Sequence, residues 1–159
     1  MAARLIYDLA ALDLSRTEIP IEEIRKINQQ RFDMEQLSGI FTIDRQNKFI
    51  IGYKDVSDSE FWVKGHVPGR PIFPGVLIIE AAAQLCTYFY KIALNDDPRR
   101  FLGFGGLDKV KFRGTVLPGD RLILIAKNTE LKSRIAIFET QGVVKGKVVF
   151  EGIITGMPI

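Results

Sequence analysis

The fold is decided by the stretch GHVPGRPIFPGVLIIEAAAQLCTYFYKIAL, residues 65–94. Its opening sets Gly65, Gly69 and Gly75 among Pro68, Pro71 and Pro74, around His66, the only histidine in the chain. The glycines permit backbone angles or close approaches that a side chain forbids, and the prolines fix the path between them. Pro74 suits the first turn of a helix. From there VLIIEAAAQLCTYFYKIAL, residues 76–94, is apolar on nearly every side, and the helix is expected to end near Asn95, where NDDPRR reads as a turn. Such a helix is either a membrane span or the buried centre of a fold. Glu80, Gln84 and Lys91 interrupt it, and an acid at mid-bilayer is costly, so the pattern predicts a core helix.

Working outward, EIPIEEIRKINQQ, residues 18–30, reads as a short helix with Pro20 in its first turn and Glu22 and Glu23 at the positive end of its dipole. RFDMEQLSGIFTIDRQNKFIIGYKDVS, 31–57, turns strand-like, with a polar turn over 44–48. The C-terminal half is a succession of strands. RFLGFGGLDKVKFRGTVL is long and glycine-interrupted, and a Pro-Gly-Asp turn at 118–120 precedes RLILIAKNTEL. RIAIFETQGVV and KVVFEGIITG follow, with Lys145 and Gly146 as a hairpin signal between them. One long helix with five or six antiparallel strands predicts an α+β fold, the helix packed on a curved sheet. Repeats and linkers are absent, so 1–159 reads as one domain with an N-terminal extension at 1–17.

Composition narrows the function classes. A length of 159 residues suffices for a real core without disulfides or metals. The net charge of +3 leaves room for an acidic partner, but no basic arm suited to nucleic acid is present. A lone Cys86 excludes an internal disulfide and fits a reducing compartment. MAARLIYDLAALDLSRTEIP is broken by Asp8 and Asp13 and lacks a clear cleavage site, so it does not read as a signal peptide. The cytoplasm is the expected location.

His66 sits in a loop stiff enough to hold it, and histidine is a base at physiological pH. Glu80 has Val76, Leu77, Ile79, Ala81, Ala82 and Ala83 about it in sequence. Apolar surroundings keep a proton on a carboxyl, which suits a general acid. Gln84, one turn on, shares its face and can orient it. The N–H groups of Gly75 and Val76 lie at the positive end of the helix, where they polarise a carbonyl oxygen. Each feature also has a structural reading: a rigid turn, a loop histidine with satisfied hydrogen bonds, a buried glutamate paired with a strand arginine. Together they suit proton abstraction beside a carbonyl coupled to loss of a leaving group. Glu80 lies six residues past Pro74, roughly 9 Å along the helix, so either the loop folds back or a second subunit supplies the partner. One histidine and one cysteine cannot make a typical zinc site, and no Gly-x-Ser-x-Gly marks a serine triad.

The run GHVPGRPIFPGVLIIEAAAQ closely resembles the signature of the β-hydroxyacyl-acyl-carrier-protein dehydratases of FabZ type, and FGGLDKVKFRGTVLPGDRL resembles that family's next segment. The likeness covers about 18–157. It implies a hotdog fold and a dimer with interfacial sites, often three dimers in a hexamer. By place in the motif, it implies His66 as catalytic histidine, Glu80 as catalytic glutamate from the opposite subunit, and Gly75 as the thioester-binding N–H. The implied reaction converts a (3R)-hydroxyacyl chain on acyl carrier protein to the trans-2-enoyl thioester in fatty-acid biosynthesis. No metal or redox cofactor is expected, because the phosphopantetheine arm arrives with the substrate. Glutamate at position 80 favours this type over FabA-type dehydratase–isomerases, which use aspartate. Val67 stands where the family usually has Phe, and Phe73 where it commonly has Met or a smaller residue, so both are expected to shape the acyl tunnel. Gln30 replaces the family's usual histidine in NQQRFDMEQLSGIFTIDR, and with its neighbours implies an altered substrate entrance.

Lys109, Lys111 and Arg113 alternate along a predicted strand and so are expected to share one face. With Arg99 and Arg100 they form a candidate docking surface for an acidic carrier protein, or else a solvated face. Two other functions fit the same sequence. A hotdog thioesterase would hydrolyse the thioester, against which the Gly-His-x-Pro-Gly loop argues. A non-catalytic carrier-binding subunit of a dehydratase complex is motivated by the altered 30–43 segment and opposed by retention of His66 and Glu80.

Overall fold

The computed structural model describes residues 2–159; Met1, the first residue of the extension, lies outside them. The strands are β1 (Ile19–Pro20), β2 (Gly39–Asp44), β3 (Phe49–Asp55), β4 (Leu102–Phe112), β5 (Arg121–Lys132), β6 (Ile135–Val144) and β7 (Lys147–Pro158), and the helices are α1 (Ile21–Ile24) and α2 (Gly75–Leu94). The strands form one sheet in the order β1-β2-β3-β5-β6-β7-β4, with every pairing antiparallel. Seven strands exceed the five or six expected, the addition being the two-residue β1, where Ile19 registers with Ile40. Register shifts in the β2–β3, β5–β6, β6–β7 and β4–β7 pairs mark bulges, which bend strands and increase their twist. The sheet so curved takes α2 on one face, as the hotdog architecture requires.

The helix begins and ends where local chemistry says it must. Pro74, extended at φ −60° and ψ 131°, is its N-cap, and Asn95 closes it in the left-handed conformation at φ 48°. Its side chains Ile78, Ala81, Ala82, Leu85, Phe89 and Tyr90 are buried against sheet residues such as Ile40, Leu124, Ala126 and Phe150. The helix is long and apolar enough to cross a membrane, with a mean hydropathy of 1.3, yet two-thirds of that window is buried inside the fold. The Lys145–Gly146 hairpin has φ of 49° and 76°, the positive pair that a type I′ turn demands.

The helix expected over 18–30 is a single turn, and Pro20 stands before it as N-cap rather than within it. Other partners claim its backbone. The Arg31 guanidinium donates to the carbonyls of Arg25, Asn28 and Gln30, while Asn28 Nδ2 donates to the Gln84 carbonyl. Carbonyls held by side chains need no helical donors. The extension lies over the other side of the sheet. Leu5, Ile6, Tyr7, Leu9, Leu12 and Leu14 pack with Phe41, Phe49, Ile51 and Tyr53 into a second apolar cluster, and the Gln141 side chain accepts from Ile6 N and donates to the Arg4 carbonyl.

Candidate active site

The loop between β3 and α2 is tied down from inside. The N–H groups of Gly65 and His66 donate to the Trp62 carbonyl at 3.2 and 2.8 Å, and Arg70 N donates to the Val67 carbonyl at 2.9 Å. Gly69 takes φ 78° after Pro68, as a type II turn favours. Val67 has φ 58°, where a β-branched residue is an outlier, so the position next to His66 is strained. His66 Nδ1 lies 2.6 Å from the Ile72 carbonyl. A carbonyl only accepts, so Nδ1 carries the proton of this bond, and Nε2 of the neutral ring keeps its lone pair. The imidazole is exposed in the single chain.

Glu80 is half-buried on α2, and its Oε1 accepts from Gln84 Nε2 at 2.8 Å. Gln84 is itself buried and fully engaged. Its Nε2 also donates to the Met34 carbonyl at 2.6 Å, and its Oε1 accepts from Gln36 N at 2.9 Å. The loop around Met34 therefore bears directly on the glutamate's orientation, a link with no local sequence signal because the residues lie some fifty positions apart. Glu80 borders a cavity of about 50 Å³ with Gln30, Cys86, Thr87, Phe138 and Ile154 among its walls. Burial pushes the Cys86 thiol well above its ordinary range, so it stays protonated.

The start of α2 supplies donors. Leu77 N and Ile78 N both return to the Pro74 carbonyl, no side chain caps this end, and among the described residues the Gly75 and Val76 N–H groups make no hydrogen bond. A Cβ at position 75 would lie 2.8 Å from Phe112 Cε1 and Cζ, so any larger residue there would have to displace that ring. Phe112 thus crowds the donors from β4. Along its N-terminal half the helix keeps a part-exposed stripe of Val76, Ile79, Glu80 and Ala83, and the neighbouring β4 exposes Phe104, Leu107 and Phe112.

His66 does not border the Glu80 cavity, and among the described residues no hydrogen bond or ion pair joins the two. Val67 is exposed on the loop. Phe73 is buried against Trp62, with ring centroids 5.4 Å apart, and offers no open wall in a single chain.

The basic residues are largely committed. Arg99 pairs with Asp97, Arg100 with Asp96, and both Lys111 and Arg113 reach Glu151. The expected alternation along β4 fails at a bulge: the register slips between Asp108 and Lys111, Lys109 takes φ 50°, and Arg113 lies beyond the strand. Lys109 and Lys111 still border one hollow, with Glu139 and Glu151 beside them.

Residues 28–153 match the FabA-like domain. The 3-hydroxyacyl-[acyl-carrier-protein] dehydratase FabZ of Streptococcus agalactiae serotype V is 34% identical over 137 residues, covering 86% of this chain and 96% of its own. The FabZ of Clostridium botulinum is 36% identical over 133 residues, covering 84% and 91%. Among solved structures, the dehydratase heterocomplex ApeI:P of Xenorhabdus doucetiae superposes with a TM-score of 0.71 at 15% identity, over 86% of this chain and 90% of that one. A mutant thioesterase of Pseudomonas aeruginosa gives 0.64 at 13% identity, over 91% and 98%. At those identities the structural likeness speaks for the fold alone.

Proposed function

Because the chain belongs to the FabA-like domain family, as a dehydratase of the FabZ type, we propose that it removes water from (3R)-hydroxyacyl-acyl-carrier-protein in fatty-acid biosynthesis. The observation that carries the residue assignment is the tethering of His66 through Nδ1, which leaves Nε2 as the basic atom. In this reading His66 Nε2 takes the C2 proton. The C–H pair becomes the C2=C3 bond as the C3–O bond breaks, and Glu80 gives its proton to the departing hydroxyl, which leaves as water. The Gly75 and Val76 N–H groups hold the thioester oxygen while negative charge builds on it. Gln84 keeps Glu80 aimed, and the exposed Val67 borders the path of the acyl chain, while Phe73, buried against Trp62, supports the loop from behind. The scheme uses no metal or redox group; the phosphopantetheine arm enters with the substrate.

Since one chain keeps His66 and Glu80 in separate surroundings, the working unit is a homodimer, with His66 of one copy facing Glu80 of the other. The part-exposed stripe of α2 and the exposed Phe104, Leu107 and Phe112 of β4 are the surface that a second copy would cover. Three such dimers would make a hexamer. Acyl carrier protein would dock through Arg99, Arg100, Lys109, Lys111 and Arg113; the acidic partners already held by all but Lys109 make this a contest of charges rather than an open basic face. A cytoplasmic setting agrees with the free thiol of Cys86.

The test is product mass after incubation with 3-hydroxyacyl carrier-protein substrates of increasing length. Loss of water is expected from the wild type, and none from His66→Ala or Glu80→Gln. Free acid would mean a thioesterase; carrier binding without turnover at any length would mean a non-catalytic subunit. A folded His66→Ala protein that turns over normally would sink the mechanism.

A further inference from the structure

Glu60 and Lys54 play no part in the scheme above, yet they form the most deeply placed ion pair next to the His66 loop. Lys54 Nζ lies 3.0 Å from Glu60 Oε2, with side chains only 8% and 16% exposed. Removing two charges from water is costly, and such a pair survives only when further bonds satisfy it. Here they do. Glu60 Oε2 also accepts from Trp62 Nε1 at 3.0 Å, and its Oε1 accepts from Ser57 N at 2.8 Å. The Lys54 ammonium stands 5.5 Å from the centre of the Phe73 ring, and Trp62 packs edge-on against that same ring.

The two ends of this network are the two anchors of His66. The Trp62 carbonyl receives the His66 N–H, and the carbonyl of Ile72, next to Phe73, receives the imidazole Nδ1–H. We infer that Glu60 and Lys54 are positioning residues that clamp Trp62 and Phe73, and through them set the orientation and tautomer of His66. The clamp deepens the dehydratase reading and rests on it only for its effect on turnover. The strain at Val67 needs such an anchor, because an unfavourable backbone angle persists only where its surroundings over-determine it. A carboxylate is required at position 60. Glutamine would place an NH₂ against either Ser57 N–H or the Trp62 and Lys54 donors, and a donor facing a donor makes no bond.

The chain has one histidine and one tryptophan, so each ring gives a single set of NMR signals. In the wild type, the indole N–H is expected to exchange slowly with solvent, and the neutral His66 ring to show the Nδ1–H tautomer. In Glu60→Gln, and in Trp62→Phe, which keeps an aromatic ring but loses the indole donor, the Nε2–H tautomer is expected to gain population. With a turnover assay, kcat falls roughly tenfold to a hundredfold in both, as for a small misplacement of a reacting group, while KM stays within about twofold. Folded variants with wild-type ring signals and kcat would overturn the clamp. Fast indole exchange in the wild type would do so whether or not the variants fold. If the protein dehydrates nothing, the function falls, but the tautomer and the indole exchange still decide the clamp.

Discussion

Replacing Gln84 by methionine tests the core of the site with little change in volume. The substitution deletes three hydrogen bonds at once: to Glu80 Oε1, to the Met34 carbonyl and from Gln36 N. Gln36 is buried, so its N–H loses its acceptor with no water to replace it. A buried group left unpaired costs about 1–3 kcal/mol. The Met34 carbonyl belongs to a half-exposed residue and costs less, because water reaches it after a small opening of the loop. The sum is about 2–4 kcal/mol, and for a domain of this size a Tm lower by roughly 5–15 °C. Glu80, half-exposed, finds water instead and should add little to that loss. Its effect appears in kcat, because the carboxyl is free to rotate out of place. Urea denaturation and a turnover assay on the same preparations separate the two. A Gln84→Met protein with unchanged stability would show that the loop carrying Met34 and Gln36 does not lean on α2. Unchanged kcat would show that Gln84 does not aim Glu80.

Gly75→Ala should lower stability by about 1–3 kcal/mol, the usual cost of overpacking, since its Cβ would sit 2.8 Å from the Phe112 ring; pairing it with Phe112→Ala should recover most of that loss in thermal denaturation. Deleting residues 1–14 uncovers Phe41, Phe49 and Ile51, so the shortened protein should bind a hydrophobic dye and unfold at lower urea than the full chain. The hydrogen bond from Arg113, opposed by partial burial, holds the Glu151 carboxyl below its usual range. A depressed folded pKa contributes stability above the unfolded value, near 4.5, and loses it as pH falls through the folded one. The urea midpoint of wild type should therefore fall below about pH 4.5 more steeply than that of Glu151→Gln; parallel curves would remove the Arg113 pair from the account.

Sequence alone determined the parts of this protein that depend on neighbours along the chain. The bounds of α2 follow from proline geometry before it and from Asn95 taking a left-handed angle after it. The Lys145–Gly146 hairpin and the Pro-Gly-Asp turn, where Gly119 has φ 93°, are equally local. The motif GHVPGRPIFPG marked the family for the same reason, since a short rigid loop keeps its meaning wherever it is read.

Tertiary structure decided what depends on competition between distant partners. Residues 18–30 have helical character, but Arg31 and Gln84 take part in bonds that hold the segment in another path, leaving α1 a single turn. The bulge that breaks the alternation of Lys109, Lys111 and Arg113 arises from the pairing of β4 with β7. Glu80 looked in sequence like an acid sunk in an apolar helix. Folding leaves it on a part-exposed stripe of that helix, half-buried and held by Gln84. Neighbours in sequence say how apolar a helix is; which of its faces stays open is set by the sheet that covers the rest.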